Sequence, residues 1–236
     1  MNLLLLEEKD FIAPGRVRLT DRRFLQLRDV IGLVPGKCYR AGLRGGSVGT
    51  ATLEEYSAAA AELSVELAEP PPPENGITLV CALPRPQTFH KVLHCAVTMG
   101  VKRMYFIHSR KVEKSYWDAS VLAPEAVERE VVLALEQCGD TVPPDIEYRK
   151  RFKPFAEDEL PQLVAASAGA YFGHPRAELP VPEHPARPLV LAVGPEGGFN
   201  DFEHQLLERA GMTPVSLGAR VLRTEFALAA LLAELG

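Results

Sequence analysis

The alternation of polar and apolar positions changes rhythm near residue 70, and the change separates two kinds of structure. Before it, short runs alternate at a period of two: Arg16-Val17-Arg18-Leu19, then 38–43, 47–53 and 63–67. Period two puts one side of a segment on a core and leaves the other wet, as in a half-buried strand. Gly42, Gly45, Gly46 and Gly49 punctuate these runs, and 21–30 has the spacing of a short helix. The pattern predicts a small β-rich domain, a barrel in its compact form. After residue 70, Ile77 to Leu83 is a continuous apolar run, the mark of a strand buried on both faces. Residues 88–99 then carry Phe89, Leu93, Ala96 and Val97 at helical spacing, and Gly100 stops the helix. Strands over 104–107, 170–172, 189–193 and 214–217 alternate with helices over 124–137, 157–166, 201–210 and 225–235. Such alternation predicts a parallel sheet covered on both faces, an α/β fold.

The boundary itself is Pro70-Pro71-Pro72-Pro73, followed by Glu74, Asn75 and Gly76. Consecutive prolines hold an extended chain and cannot continue a helix or a central strand. The expected organisation is therefore a β-rich domain over 1–69, a linker over 70–76 and an α/β domain over 77–236.

Composition narrows the class. With 236 residues, 47% hydrophobic and 24% charged, the chain is neither disordered nor fibrous. The opening run Leu3 to Leu6 is followed by Glu7, Glu8 and Lys9, too short and too acidic in its flanks for a signal peptide. No run approaches the roughly 20 apolar residues that span a bilayer. Cys38, Cys81, Cys95 and Cys138 are scattered without a C-x-x-C pair, which disfavours a disulfide framework or a zinc site. They read as buried small apolar groups in a reducing cytoplasm. The net charge of −5 argues against an indiscriminate nucleic-acid binder. Its distribution changes that picture: 10–50 holds eight basic residues against three acidic, and 100–116 holds five against one. Local basic stretches on an acidic body suit one structured RNA site, bound in a salt-dependent way.

Open α/β sheets bind ligands just past the carboxyl ends of their strands, and three such ends carry unusual residues. The run 189–193 leads into Gly194-Pro195-Glu196-Gly197-Gly198, whose glycines let backbone approach a ligand and adopt positive φ. Asn200 fits as cap of the next helix, with Glu203 three residues on and Gly211 beyond its end. Neither G-x-x-x-x-G-K-[ST] nor G-x-G-x-x-G occurs, which disfavours a phosphate cradle and a dinucleotide oxidoreductase. The second end, Val215-Ser216-Leu217-Gly218, runs through Arg220 and Arg223 into the terminal helix. Thr224 fits as its N-cap and Glu225 as a first-turn carboxylate. Arg223 repels the positive end of that helix, so its place calls for a role beyond structure. The third end, Ala170-Tyr171-Phe172-Gly173, stops at His174-Pro175.

Gly194-Pro195-Glu196-Gly197-Gly198-Phe199, then Leu217-Gly218-x-Arg220-Val221-Leu222-Arg223-x-Glu225, resembles the RsmE family of ribosomal RNA (uracil-N3)-methyltransferases of the SPOUT superfamily. Ala82-Leu83-Pro84-Arg85-Pro86, Arg110 to Ser115 and Arg151-Phe152-Lys153-Pro154-Phe155 extend the resemblance over nearly the whole chain. It implies a SPOUT-type parallel sheet with a C-terminal trefoil knot, preceded by a small PUA-like β-barrel. It also implies S-adenosyl-L-methionine as cofactor and a homodimer with its active sites at the subunit interface. The implied substrate is a uridine of small-subunit (16S) ribosomal RNA, methylated at N3, either in free RNA or in the subunit. Phe172, Gly173, His174, Gly194, Glu196, Gly197, Leu217, Gly218 and Leu222 would form the cofactor pocket. Arg223 would stand beside the base, with Glu225 as an alternative proton acceptor, and Arg16, Arg18, Arg22, Arg23, Arg110 and Lys114 would meet RNA. No metal and no membrane are implied.

The pattern departs from the family at Phe226, where threonine is usual, at Thr98-Met99 before Gly100, and at Asp140, where arginine would fall. The N-terminal domain shows Arg23-Phe24 and Val30-Ile31-Gly32 where the family has a histidine and a Val-Leu-Arg run. These departures bear on RNA docking more than on the cofactor. The alternatives are a SPOUT enzyme acting on another RNA position, such as a ribose hydroxyl, and a non-catalytic RNA-binding or ribosome-assembly factor. Among weaker signals, His90 and His94 lack the glutamate of H-E-x-x-H and a third ligand. Tyr116-Trp117 offers either a stacking platform or packing. The cluster 149–153 offers either phosphate contact or a solvated loop.

Overall fold

The computed structural model describes residues 2–236. Its chain falls into two compact units: residues up to Pro73 together with Val132–Pro143, and Glu74–Val131 together with Pro144–Gly236.

The first unit is β-rich. Strands β1 (Leu4–Leu6), β2 (Phe11–Ala13) and β3 (Arg16–Leu19) precede helix α1 (Arg22–Gln26). Strands β4 (Cys38–Leu43), β5 (Val48–Tyr56) and β6 (Ala61–Glu69) follow. They form one six-stranded sheet in the order β1-β4-β5-β6-β3-β2, parallel only between β1 and β4. Alternation works as expected in β3, where Val17 and Leu19 are buried and Arg16 and Arg18 are exposed. Those two join Leu4, Leu6, Phe24, Leu27, Leu53 and Leu63 in a single apolar core. The ladder ends at β1 and β2, so the sheet is a PUA-like half-barrel rather than a barrel closed by backbone pairing. The helix expected over 21–30 is α1 continued by a wider turn, Leu27–Ile31. At Gly49 a Cβ would lie 2.0 Å from the Glu66 carbonyl oxygen, so only glycine permits β5 and β6 to pair there.

Two features of this unit were not foreseen. The opening apolar run forms β1, pairing with β4, and Phe11–Ala13 forms β2; each has three residues, too few to show a period. Residues 132–143 also belong here rather than to an unbroken α/β domain. The Glu136 carbonyl accepts from the Asn2 and Leu3 amides, and Thr141 packs against Gly42, where a Cβ would lie 2.3 Å from its methyl.

The second unit is α/β. Its strands are β7 (Ile77–Ala82), β8 (Arg103–Ile107), β9 (Asp145–Arg149), β10 (Gly169–Gly173), β11 (Leu189–Val193) and β12 (Thr213–Val215). Its helices are α2 (Pro86–Thr98), α3 (Pro124–Cys138, which ends in the first unit), α4 (Phe152–Pro154), α5 (Leu160–Ala165), α6 (Asp201–Arg209) and α7 (Thr224–Leu235). All six strands run parallel in the order β12-β10-β11-β7-β8-β9. Every residue of β11 is buried, as its unbroken apolar run requires of a central strand. Gly100 and Gly139, both at φ +80, end α2 and α3. Strand β9 was not foreseen. Asp145, Glu147 and Arg149 alternate with Ile146 and Tyr148, a period of two that fits its place at the edge of the sheet but differs from the continuous apolar runs that mark the central strands.

The cysteines are free, but they are not uniformly buried. Cys81 is buried, with its thiol pushed well above the usual range, whereas Cys38 is exposed on β4.

Candidate functional site

The carboxyl ends of β10, β11 and β12 lie side by side at one edge of the parallel sheet, and the segments leaving them enclose a cavity of about 180 Å³. Its walls come from Gly173–Pro175, Val193–Gly198, Val215, Leu217–Gly218, Arg220–Leu222 and, on α7, Thr224, Ala227 and Leu231. Eight of the nine expected pocket residues line it. The ninth, Phe172, does not: it is fully buried, its ring edge-on to His204 at 5.2 Å, and supports the wall from behind.

The local fold explains the cavity. The Gly198 amide donates to the Pro195 carbonyl at 2.7 Å, closing a turn with Gly198 at φ +69. Asn200 and Glu203 exchange two 2.9 Å bonds as the capping box that starts α6. Gly218 sits at φ +105, donating from its amide to Ser216 Oγ at 3.1 Å. A Cβ at Gly198 or Gly218 would enter empty space. Both therefore keep backbone bare toward the cavity. Expected and observed structure differ at α7: Arg223, not Thr224, takes the N-cap position and makes no side-chain cap, and Thr224 is the buried first helical residue.

His174 forms one wall, its ring 4.3 Å from that of His204 and nearly perpendicular to it. Burial, then the positive fields of His204 and Arg176, hold its pKa below the usual histidine value, so the wall is neutral near neutral pH. The lining is bare backbone and apolar side chains with a few polar groups: the carboxylate of Glu196, Arg220, Thr224 and the His174 ring. That set suits a ligand combining a flat heterocycle with a polar, cationic tail: Val193, Val215, Leu217, Leu222 and Leu231 supply apolar walls, and exposed peptide groups supply edge hydrogen bonds.

Sequence reasoning missed the residues that hold the loop from outside. Glu196 Oε1 accepts from the Arg85 amide at 3.1 Å. Lys111 Nζ donates to the Gly197 carbonyl at 2.5 Å, and a Cβ on Gly197 would lie 2.7 Å from Lys111 Cδ. The lysine stem therefore lies flat on the glycine. Glu203, almost fully buried, uses Oε1 to accept from the Arg110 amide at 2.6 Å. Three long-range bonds thus tie the glycine loop and its helix to the segments after β7 and β8. Lys111→Met, which keeps the stem and removes the bond, is expected to raise the dissociation constant of the ligand this cavity holds three- to tenfold, about 1 kcal/mol. Isothermal titration calorimetry measures it.

Arg223 is exposed and lies between two residues of the cavity wall, but does not itself line it. Glu225 lies outside as well; its carboxylate is 11% exposed and 3.7 Å from Lys91 Nζ on α2, a helix-to-helix contact. In the first unit, Arg16 bonds Glu62 at 3.2 Å, Arg18 lies 4.0 Å from Glu62, and Arg22 grips both oxygens of Glu136. Arg23 is no RNA contact. It is 5% exposed, and its nitrogens are spent on Asp10, Asp21 and the Leu5 carbonyl. Arg110 and Lys114 stay exposed on the segment after β8. Trp117 donates to His108 Nδ1 at 2.9 Å and carries Lys150 Nζ over its ring at 5.7 Å, so packing, not base stacking, occupies it. His94 pairs with Glu130 at 2.9 Å, and no group of three potential metal ligands occurs among the described residues.

Residues 71–236 match the family model described as RNA methyltransferase domain. The ribosomal RNA small subunit methyltransferase E of Treponema pallidum (strain Nichols) is 26% identical over 98% of this chain and 88% of its own length. Its namesake in Synechocystis sp. is 29% identical over 95% and 74%. Among solved structures, a ribosomal RNA small subunit methyltransferase E from Neisseria gonorrhoeae, bound to S-adenosyl methionine, superposes with a TM-score of 0.75. It is 23% identical, covering 99% of this chain and 95% of that one.

Proposed function

From a chain that belongs to the RNA methyltransferase domain family, we propose an enzyme that methylates N3 of a uridine in small-subunit ribosomal RNA, using S-adenosylmethionine. The observation that carries this reading is the single cavity formed where the Gly194–Gly198 and Leu217–Leu222 segments meet. A non-catalytic RNA binder has no use for bare glycine backbone beside apolar walls. The names of the Treponema and Synechocystis relatives supply the substrate class, and the resemblance of motif and spacing supplies the N3 position.

When bound, S-adenosylmethionine supplies an electrophilic methyl group carried on a sulfonium. Val193, Val215, Leu217, Leu222 and Leu231 would hold it by apolar contact, peptide groups of Gly194–Gly198 and Leu217–Gly218 would orient it, and Glu196 would favour its positive charge. The remaining task concerns the base. Loss of the N3 proton leaves negative charge on the uracil, and N3 then takes the methyl group as that group's bond to the sulfonium sulfur breaks, leaving a neutral thioether. Arg223 is placed to stabilise that charge from the rim. Glu225 is committed to Lys91 and α7, which leaves proton removal to solvent.

The trefoil knot, the homodimer and the cytoplasmic location belong to the same proposal. For the knot, support comes from α7, which follows the edge strand β12 yet packs against α2 and the central strand β11. For the dimer, it comes from Val221, Leu222 and Phe226, which are 79%, 41% and 59% exposed around the cavity. Apolar surface beside a site asks for cover. Phe226→Asp is expected to shift the sedimentation coefficient from dimer to monomer, and an unchanged coefficient rejects this face. For the location, no helix of the described residues is long and apolar enough to cross a membrane.

Calorimetry with S-adenosylmethionine and nucleoside mass spectrometry of ribosomal RNA from a deletion strain test the main reading. Absence of binding at millimolar cofactor, or intact 3-methyluridine in that strain, rejects it.

A further inference from the structure

Of the eight basic residues over 10–50, five meet carboxylates on folding, while Lys37 bonds the Ile31 carbonyl and Arg40 stays exposed. Arg16 and Arg18 face Glu62, Arg22 faces Glu136, Arg23 faces Asp10 and Asp21, and Arg28 faces Asp29. Each arginine there that meets a carboxylate loses most of its pull on a distant phosphate. In the second unit the reverse holds. Arg110 and Lys114, after β8, and Lys150 and Arg151, after β9, are all exposed, and none makes an ion pair among the described residues.

These cations share one edge of the sheet, because β8 and β9 are parallel neighbours paired from Arg103↔Asp145 to Ile107↔Arg149. Backbone and side-chain contacts link the two exits. The His108 amide donates to the Arg149 carbonyl at 2.8 Å, Trp117 bonds His108, and Lys150 lies over Trp117. Burial holds the His108 pKa below the usual value against the raising field of Glu203, and Lys114 is near enough that its positive field adds to the lowering. Of the acids nearby, Glu147 and Glu159 both bond Arg149, Glu157 pairs with Lys153, and Glu113 accepts from the Tyr116 hydroxyl while keeping its charge. Four exposed cations without a salt bridge of their own among the described residues, Arg110, Lys114, Lys150 and Arg151, thus gather at this edge in a chain whose net charge is −5. Like charges gathered without counter-ions repel, and an anionic partner relieves the cost.

We propose that this edge, with Lys150 and Arg151 at its centre, is the principal phosphate-binding surface for the RNA substrate, ahead of the arginines of the first unit. It rests on the reading of an RNA methyltransferase. Lys111, on the same segment, links it to the cofactor loop, so RNA held here has its reacting base near the cavity.

The test measures binding of purified 16S ribosomal RNA across a salt series, for the wild type, Lys150→Gln/Arg151→Gln and Arg16→Gln/Arg18→Gln. Glutamine removes the charge and keeps a polar side chain. Each lost phosphate contact flattens the log–log salt slope by about 0.7–0.9. The edge variant is therefore expected to lose about 1.4–1.8 in slope and at least tenfold in affinity. The first-unit variant is expected to change less than twofold. The dissociation constant for S-adenosylmethionine and the melting temperature should match the wild type in both. An unchanged slope in the edge variant, a larger loss in the first-unit variant, or no RNA binding by the wild type overturns the proposal. Methyl incorporation by the wild type is read in parallel. Its absence alone, with the slopes as expected, rejects methyl transfer while leaving the RNA surface standing.

Discussion

Arg223→Ala is expected to lower kcat for RNA methylation by about 10²–10³-fold, the usual loss for one preorganised charge stabiliser, while the cofactor dissociation constant stays within twofold. The split follows from position. Arg223 is absent from the cavity wall, whereas its neighbours Leu222 and Thr224 are part of it. Removing the guanidinium takes away a charge that matters once the uracil becomes anionic, and no contact that holds the cofactor. The residue also sits at the N-cap of α7 without capping it, so alanine there breaks no helix bond and relieves an unfavourable dipole contact. A stability loss therefore cannot mimic the effect. Steady-state kinetics at saturating RNA, with calorimetry on the same preparation, measure both quantities. Equal losses in turnover and cofactor affinity would make Arg223 a binding residue. Arg223→Lys, which keeps charge but loses the planar fork, should recover part of the turnover.

What the sequence made legible here is what local pattern encodes. The glycine loop after β11 was readable because an all-apolar strand ending in three glycines has few structural uses, and the Asn200–Glu203 capping box because its partners are three residues apart. The other half of Glu203's work was not readable. Its bond to the Arg110 amide joins residues 93 apart in sequence, and no periodicity encodes such a meeting. Lys111 on Gly197 and Arg85 on Glu196 were hidden for the same reason. Charge misled in a related way. Counting arginines along 10–50 found a basic stretch, yet pairing depends on which strands adjoin. Arg16 meets Glu62 only because β3 pairs with β6, and Arg22 meets Glu136 only because the end of α3 belongs to the first unit.

Asp10→Ala is expected to destabilise the first unit by about 3–5 kcal/mol, the cost of leaving a buried charge with part of its partnership gone. Asp10 and Arg23 are 6% and 5% exposed, and the carboxylate receives bonds of 2.7 and 2.8 Å from the guanidinium and 2.8 Å from the Glu7 amide. Burial alone would lower the pKa of Arg23. Its bonds to Asp10 and Asp21 outweigh burial and hold it above the usual arginine value, so the guanidinium cannot escape by losing its proton. Asp21 cannot rescue the variant, since it already gives both oxygens to Arg23 while capping α1. A loss of this size in a unit of this length lowers its melting temperature by more than about 10 °C. Differential scanning calorimetry reads it. The double variant Asp10→Leu/Arg23→Met distinguishes the cause: with both charges replaced by apolar groups the penalty for an incompletely paired buried ion disappears, so it should melt above Asp10→Ala. If the double variant melts lower still, the pair is holding β1 and α1 together by its bonds and not merely cancelling its own charge.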